Sequence, residues 1–159
     1  MLSLVSIKNN KLNNLQKKKI IFLKNEHWKY SISDHSEYLK KNYKRNDFHN
    51  LLFDEKKLIG YTGFRNQNFL YKKKKYKYLH FDCLIISKKL RNKKISKILM
   101  NFNENNIRKK SLPSILFCEK KLINFYKKFN WKSVNKKKIK LYFKLNPKKF
   151  IMSFDLKLR

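Results

Sequence analysis

The spacing of apolar and polar positions predicts a chain of alternating strands and helices. Residues 1–10 carry a short apolar piece before Lys8, Asn9 and Asn10, and read as a first strand or arm rather than a signal peptide. The run KIIFLK at 19–24 predicts a short strand. Asp34 with Glu37 three residues on fits a reciprocal helix cap, with Ser33 or Asp34 as the capping residue. Tyr38, Leu39 and Tyr43 then share one side of the helix. Residues 50–53 and 58–65 predict two strands joined through Asp54-Glu55-Lys56-Lys57 as a hairpin. The lysine-rich 71–77 reads as a loop, and 78–87 as the longest strand.

Beyond it, Ile95, Ile98, Leu99 and Phe102 fall at i, i+3, i+4 and i+7, a helical stripe. After Pro113, residues 115–118 predict a buried strand, and Leu122, Phe125, Tyr126 and Phe129 repeat the helical spacing. Residues 138–145 and 150–156, around Asn146-Pro147-Lys148-Lys149, predict a second hairpin. The order implies an α/β (α+β) fold: a mixed, mostly antiparallel central sheet of six to seven strands flanked by helices. With no linker, repeat or break in composition, a single domain over 1–159 is expected.

Composition narrows the class. With 42% hydrophobic residues, 13 Phe and 9 Tyr, there is enough apolar surface for a core. No apolar run approaches the roughly 18–20 residues of a membrane span, so no membrane partner is expected. Cys83 and Cys118 sit in apolar stretches, which predicts reduced, buried thiols, no metal site and a cytoplasmic setting. The formal charge of +32 points at first to nucleic acid. Yet only five of the 42 basic residues are Arg, there is no Ala, and there are 19 Asn and two Gly. That is the mark of a coding bias toward A/T-rich codons. Base reading leans on the planar fork of Arg, so no specific nucleic-acid partner is expected. Anions in general are still attracted.

The chemistry concentrates at 88–96, between a predicted strand and a predicted helix. Such a loop offers unpaired backbone N–H groups and the positive end of a helix dipole, a setting that binds phosphates. Arg91 and several lysines lie in it, although an ordinary basic connection would read the same way. A second piece is Asn124-Phe125-Tyr126-Lys127-Lys128-Phe129-Asn130-Trp131, directly after the strand at 115–118. It resembles the F-Y-x-K-x-G-F ending of the GNAT N-acetyltransferase superfamily. The stretch 90–100 resembles that family's R-x-x-G-x-G/A segment and the helix that follows. Leu58-Ile59-Gly60-Tyr61 is similar to its third strand. The resemblance covers about residues 19–135. It departs at Lys94 and Ser96, which stand at the two small positions of the phosphate loop, and at Asn130, which replaces a glycine.

The resemblance implies acetyl-CoA as co-substrate and no metal. It implies that backbone at Leu84, Ile85 and Ile86 holds the pantetheine arm. The phosphates would fall to Arg91, Asn92, Lys93, Lys94, Ile95 and Ser96, with Asn124 also on the coenzyme. Tyr126 takes the position of the acid that protonates the leaving thiolate, unless it is only a core aromatic. For the base, strand alternation puts Tyr78, His80, Asp82, Leu84 and Ile86 on one face. Asp82 is the first candidate, or else an ion-paired structural carboxylate; His80 is the second. His27 beside Trp28, and His49, are candidates to line the acceptor pocket. The acceptor expected is a primary amine of a small molecule, an amino sugar by preference, because Trp28, Tyr30 and His49 suit a sugar face. The assembly expected is a monomer or homodimer. Two other readings remain: a basic nucleic-acid-binding module with Lys and Tyr interleaved at 71–78, and a GNAT fold with a degraded coenzyme site.

Overall fold

In the computed structural model, which describes residues 1–91 and 94–158, the first helices are set by two reciprocal caps. Helix α1 (Asn14–His27) opens at Asn13, whose side chain accepts the Gln16 N–H at 2.8 Å while Gln16 Oε1 accepts the Asn13 N–H at 3.0 Å. Helix α2 (Ile32–Asn42) opens at Ser31: its hydroxyl accepts the Asp34 N–H at 3.0 Å, and the Asp34 carboxylate accepts the Ser31 N–H at 3.2 Å. Two expectations are thereby corrected. The run 19–24 is helix, not strand, because the cap at Asn13 starts a helix that buries Ile20, Ile21, Leu23 and Lys24. Short apolar runs do not by themselves separate the two. The second cap lies at Ser31, with Asp34 as its third helical residue rather than the cap.

The strands are β1 (Leu2–Lys8), β2 (Phe48–Asp54), β3 (Lys57–Tyr71), β4 (Lys74–Ile86), β5 (Ser114–Cys118), β6 (Lys132–Val134), β7 (Lys140–Leu141) and β8 (Phe150–Phe154). Helices α3 (Ile95–Lys110) and α4 (Ile123–Lys127) complete the set among the described residues. The strand order is β1-β2-β3-β4-β5-β8-β6, with β7 on β3, a mostly antiparallel sheet of eight strands of the class expected. β4 and β5 pair in parallel, through Leu79 with Ser114 and His80 with Ile115.

Residues 71–77 are not a loop. Lys72 and Lys73, at φ 46° and 62°, form a two-residue turn between β3 and β4, and such turns need left-handed residues. β3, at 15 residues, is longer than β4 at 13. The closing hairpin is absent too: β8 pairs with β5 and β6, while Leu141 of β7 faces Phe69 of β3.

The chain forms two compact units, Met1–Arg65 with Cys83–Glu104, and Asn66–Asp82 with Asn105–Arg159. In the first unit α1 and α2 bury Leu12, Ile20, Leu23 and Leu39 with Leu51, Tyr61 and Ile85. A second cluster there gathers Leu52, Ile59 and Leu99, with Leu84, Ile86 and Ile95 against it. Between strands and helix, Asn50 Nδ2 donates to Asn103 Oδ1 at 2.8 Å, and Asn103 Nδ2 donates to Thr62 Oγ1 at 3.0 Å. The second unit is built on Phe69, Tyr78, Ile115, Ile139 and Ile151. In it Trp131 packs on Phe81, Tyr126 and Phe154. α4 spans only five residues and is followed by Asn130 at φ 60°, a left-handed helix end where Asn stands in for Gly.

Candidate functional site

In the first unit the stretch that follows β4, from Ser87 to Arg91, is held at both ends. Ser87, 2% exposed, donates its N–H to Ile59 O at 2.9 Å. A short 3-10 turn, Lys88–Leu90, leads to Arg91. The carboxylate of Glu26, near the end of α1, accepts the Ser87 hydroxyl at 3.0 Å and the Lys88 N–H at 2.9 Å. Arg91 Nε donates to Ile86 O at 3.4 Å, and its terminal nitrogen lies 3.0 Å from His27 Nδ1. The His27 ring meets the Trp28 ring edge-on at 4.5 Å. The fold thus brings together His27, Trp28, Ile86 and Arg91, which the sequence alone assigns to different subsites.

Lys94, immediately before α3, sits at φ 59° with its side chain exposed. This is the left-handed region in which glycine is at ease, so the backbone follows a glycine-like path with a lysine on it. Lys88, Lys89 and Arg91 are likewise exposed, and Ser96 is half-buried. Leu84, Ile86 and Ile95 turn their side chains to an apolar cluster and Ile85 to another, so what they offer a ligand is backbone. The expectations placed on Asn92 and Lys93 lie outside the described residues. Helix dipole, backbone N–H groups and exposed cations all favour a polyanionic phosphate ligand at this loop.

The second unit carries the other candidates. Tyr78 through Phe81 are all buried, and only from Asp82 does β4 alternate between half-buried and buried. His80 is 7% exposed, with Phe117 edge-on at 5.0 Å and Phe143 stacked at 6.3 Å. Asp82 is half-buried. Tyr126, 7% exposed, lies 6.2 Å from Phe81 and 6.1 Å from Trp131 between ring centroids. Its ring is packed among these aromatic neighbours. Asn124, on the same short helix, is exposed.

His49 does not line an open pocket. It is fully buried, with Nδ1 2.9 Å from the Tyr61 hydroxyl, Nε2 3.1 Å from Asn9 Oδ1, and its ring 4.6 Å from that of Tyr43. β2 is an inner strand, covered on both faces from Phe48 to Leu52, which is why a histidine there becomes a core residue. Both cysteines are buried, and burial pushes the Cys118 thiol up, against a partial pull downward from Lys149. Among the described residues no group of three or more His, Cys, Asp or Glu is placed to hold a metal ion. No helix among them is long and apolar enough to cross a membrane. The residue that sequence analysis missed is Glu26: 61 positions separate it from Ser87, and no local pattern marks it.

The sequence matches the family model of the acetyltransferase (GNAT) domain over residues 11–148, and the chain belongs to that family. The fold is similar to that of an acyl-CoA N-acyltransferase from Pseudomonas aeruginosa, at TM-score 0.72 and 12% identity over 96% of this chain and 99% of that one. It is similar to Escherichia coli ElaA at TM-score 0.71 and 16% identity, over 96% and 99%. A third similar structure is a PaiA N-acetyltransferase from Thermoplasma acidophilum in complex with coenzyme A, at TM-score 0.63 and 16% identity, over 96% and 98%. At such identities the likeness is one of fold. No curated protein matches the sequence.

Proposed function

We propose that this protein is an N-acetyltransferase that moves an acetyl group from acetyl-CoA to a primary amine of a small molecule. The observation that carries the proposal is Lys94. At the position where the family has glycine, its backbone adopts glycine's left-handed conformation, and its side chain points to solvent. The amides that open α3 are thus left accessible to a diphosphate. Arg91, Lys94 and Ser96, together with Asn92 and Lys93, form the phosphate loop in this reading. The backbone of Leu84, Ile85 and Ile86 takes the pantetheine arm, with Asn124 also assigned to the coenzyme. Among the described residues β4 pairs with β5 through Leu79 and His80, which lie before Leu84, and this supports that role.

The amine nitrogen attacks the thioester carbonyl directly. A C–N bond forms, the C–S bond breaks, and the proton of the amine passes to a base, Asp82 first and His80 second. Tyr126 gives its proton to the departing thiolate, as a positioned general acid. Oriented backbone N–H groups polarise the carbonyl as it gains charge. For the acceptor we keep His27 and Trp28, adjacent rings near the phosphate loop, and retain an amino sugar as the preferred class. His49, enclosed in the core, leaves the set. The burial of both cysteines supports a reducing, cytoplasmic setting, with the enzyme acting as a monomer or homodimer.

The test is incubation with acetyl-CoA and a panel of amines, following release of free thiol, alongside thermal melting with and without coenzyme A. Thiol release above the blank with at least one amine is expected. If no amine gives release and coenzyme A does not shift the melt, the proposal fails.

A further inference from the structure

We infer that Glu26, through Ser87 and Lys88, is a positioning residue for the diphosphate of coenzyme A; this rests on the coenzyme reading above. The chain has 42 basic residues and ten acidic ones, so any carboxylate has lysines to hand. Glu26 shares the lining of a cavity of about 380 Å³ with Lys29, Lys57, Lys88 and Lys89. Among the described residues it nonetheless pairs with none of their ammonium groups. Its oxygens go to the Ser87 hydroxyl, at 3.0 and 3.3 Å, and to the Lys88 N–H at 2.9 Å. Hydrogen bonds to an ionised acceptor are the strong ones, and this acceptor fixes backbone.

Ser87 is gripped from a second side by its N–H bond to Ile59 O. The next residue of α1, His27, meets Arg91 at the far end of the same turn. The last residues of α1 therefore hold both ends of the Ser87-to-Arg91 turn, from which the chain reaches Lys94 and the opening of α3. The turn from Ser87 to Arg91 has no glycine of its own, and α1 holds it from outside.

Electrostatics alone predicts the opposite effect of Glu26. A carboxylate near a diphosphate repels it, so its removal should tighten binding if charge were all that mattered. If Glu26 works by holding the loop, its removal loosens binding. The sign of the change decides.

The experiment compares the full-length protein with Glu26→Gln, Ser87→Ala and the double variant by calorimetry. The ligands are coenzyme A and pantetheine, which carries the arm but no diphosphate. Glu26→Gln is expected to weaken coenzyme A about tenfold, the scale of one charge-assisted hydrogen bond, and to leave pantetheine unchanged. The double variant should lose little more than Glu26→Gln alone. Coenzyme A bound as tightly or more tightly by Glu26→Gln overturns the inference. So does an equal loss for both ligands, which marks a merely structural residue. If Glu26→Gln fails to fold, Ser87→Ala must show the same selective loss or the inference falls. A wild-type protein that binds neither ligand removes the coenzyme reading and this inference together.

Discussion

Gly63 lies so close to Tyr43 that no side-chain carbon fits between them. A Cβ at Gly63 would overlap the Tyr43 hydroxyl and stand 2.7 Å from the ring carbon that bears it. Tyr43 is buried, and its hydroxyl accepts a hydrogen bond from Tyr61 at 3.4 Å, so the ring has nowhere to retreat. This is one of only two glycines in the chain, and its φ is not positive; what holds it is the close approach. Gly63→Ala should cost about 1–3 kcal/mol, the usual range for overpacking, read as a lowered urea midpoint with an unchanged slope. Gly60→Ala should cost less, because its nearest neighbours are side-chain carbons at 3.2 Å.

Asn103 is a bridge between Asn50 and Thr62, all three fully buried. Among the described residues Asn50 Oδ1 has no partner, so the network carries one unpaired acceptor before any substitution. Asn103→Ala would strand two further polar groups, at a cost of roughly 1–3 kcal/mol. A double-mutant cycle with Asn50→Ala should show a coupling of at least about 0.5 kcal/mol. Additive losses would mean that water replaces the bridge.

Where the sequence spoke clearly, the signal was local. The stripe from Ile95 to Phe102, the hairpin through Glu55, and the left-handed Asn130 all follow from spacing or from one residue's conformational preference. Local rules also misled. Asp34–Glu37 and Ser31–Asp34 both satisfy the capping spacing. In the folded chain it is the Ser31 hydroxyl that takes the Asp34 N–H. Lys72 and Lys73 hid a tight turn because lysine is a poor marker for left-handed backbone. The pairings of β7 with β3 and of β8 with β5 join distant segments, and nothing in either segment announces its partner. For the candidate site, the cationic loop was legible from its position between strand and helix. Its tie to Glu26, and the enclosure of His49, depend on long-range packing.

Lys94 carries a conformational cost that its neighbours must meet. A left-handed residue with a Cβ is disfavoured by roughly 1–2 kcal/mol, and glycine escapes this. Lys94→Gly should therefore raise the melting temperature, by about 1 kcal/mol of stability, while Lys94→Val should lower it. A melting temperature lowered by the glycine variant would show that the lysine stem contributes more packing than its backbone costs.

Asp34 gives a pH signature. The Ser31 hydroxyl and N–H, both donated to its carboxylate, hold it below the ordinary carboxylate range, with a smaller pull from His35. A carboxylate that binds its proton more weakly in the folded state stabilises the fold above its unfolded pKa. That contribution is lost as the pH falls through the folded value. The melting-temperature gap between wild type and Asp34→Ala should be widest near neutrality and should close as the pH falls below the ordinary carboxylate range. A gap independent of pH would place the effect in the helix propensity of alanine and not in the ionised cap.

Tyr126 separates chemistry from packing. Its ring already packs with Phe81 and Trp131, and phenylalanine would preserve those contacts. Tyr126→Phe should leave the melting temperature and the affinity for coenzyme A near the wild-type values. If the hydroxyl protonates the thiolate, the maximal rate should fall about 100-fold or more, the lower end of what general acid catalysis supplies. Part of that loss should return with acyl donors whose thiolate leaves readily without a proton, such as an aryl thioester. A rate that stays low for every donor alike would place Tyr126 in positioning, and a weakened coenzyme affinity at unchanged rate would move it out of the acid's role altogether.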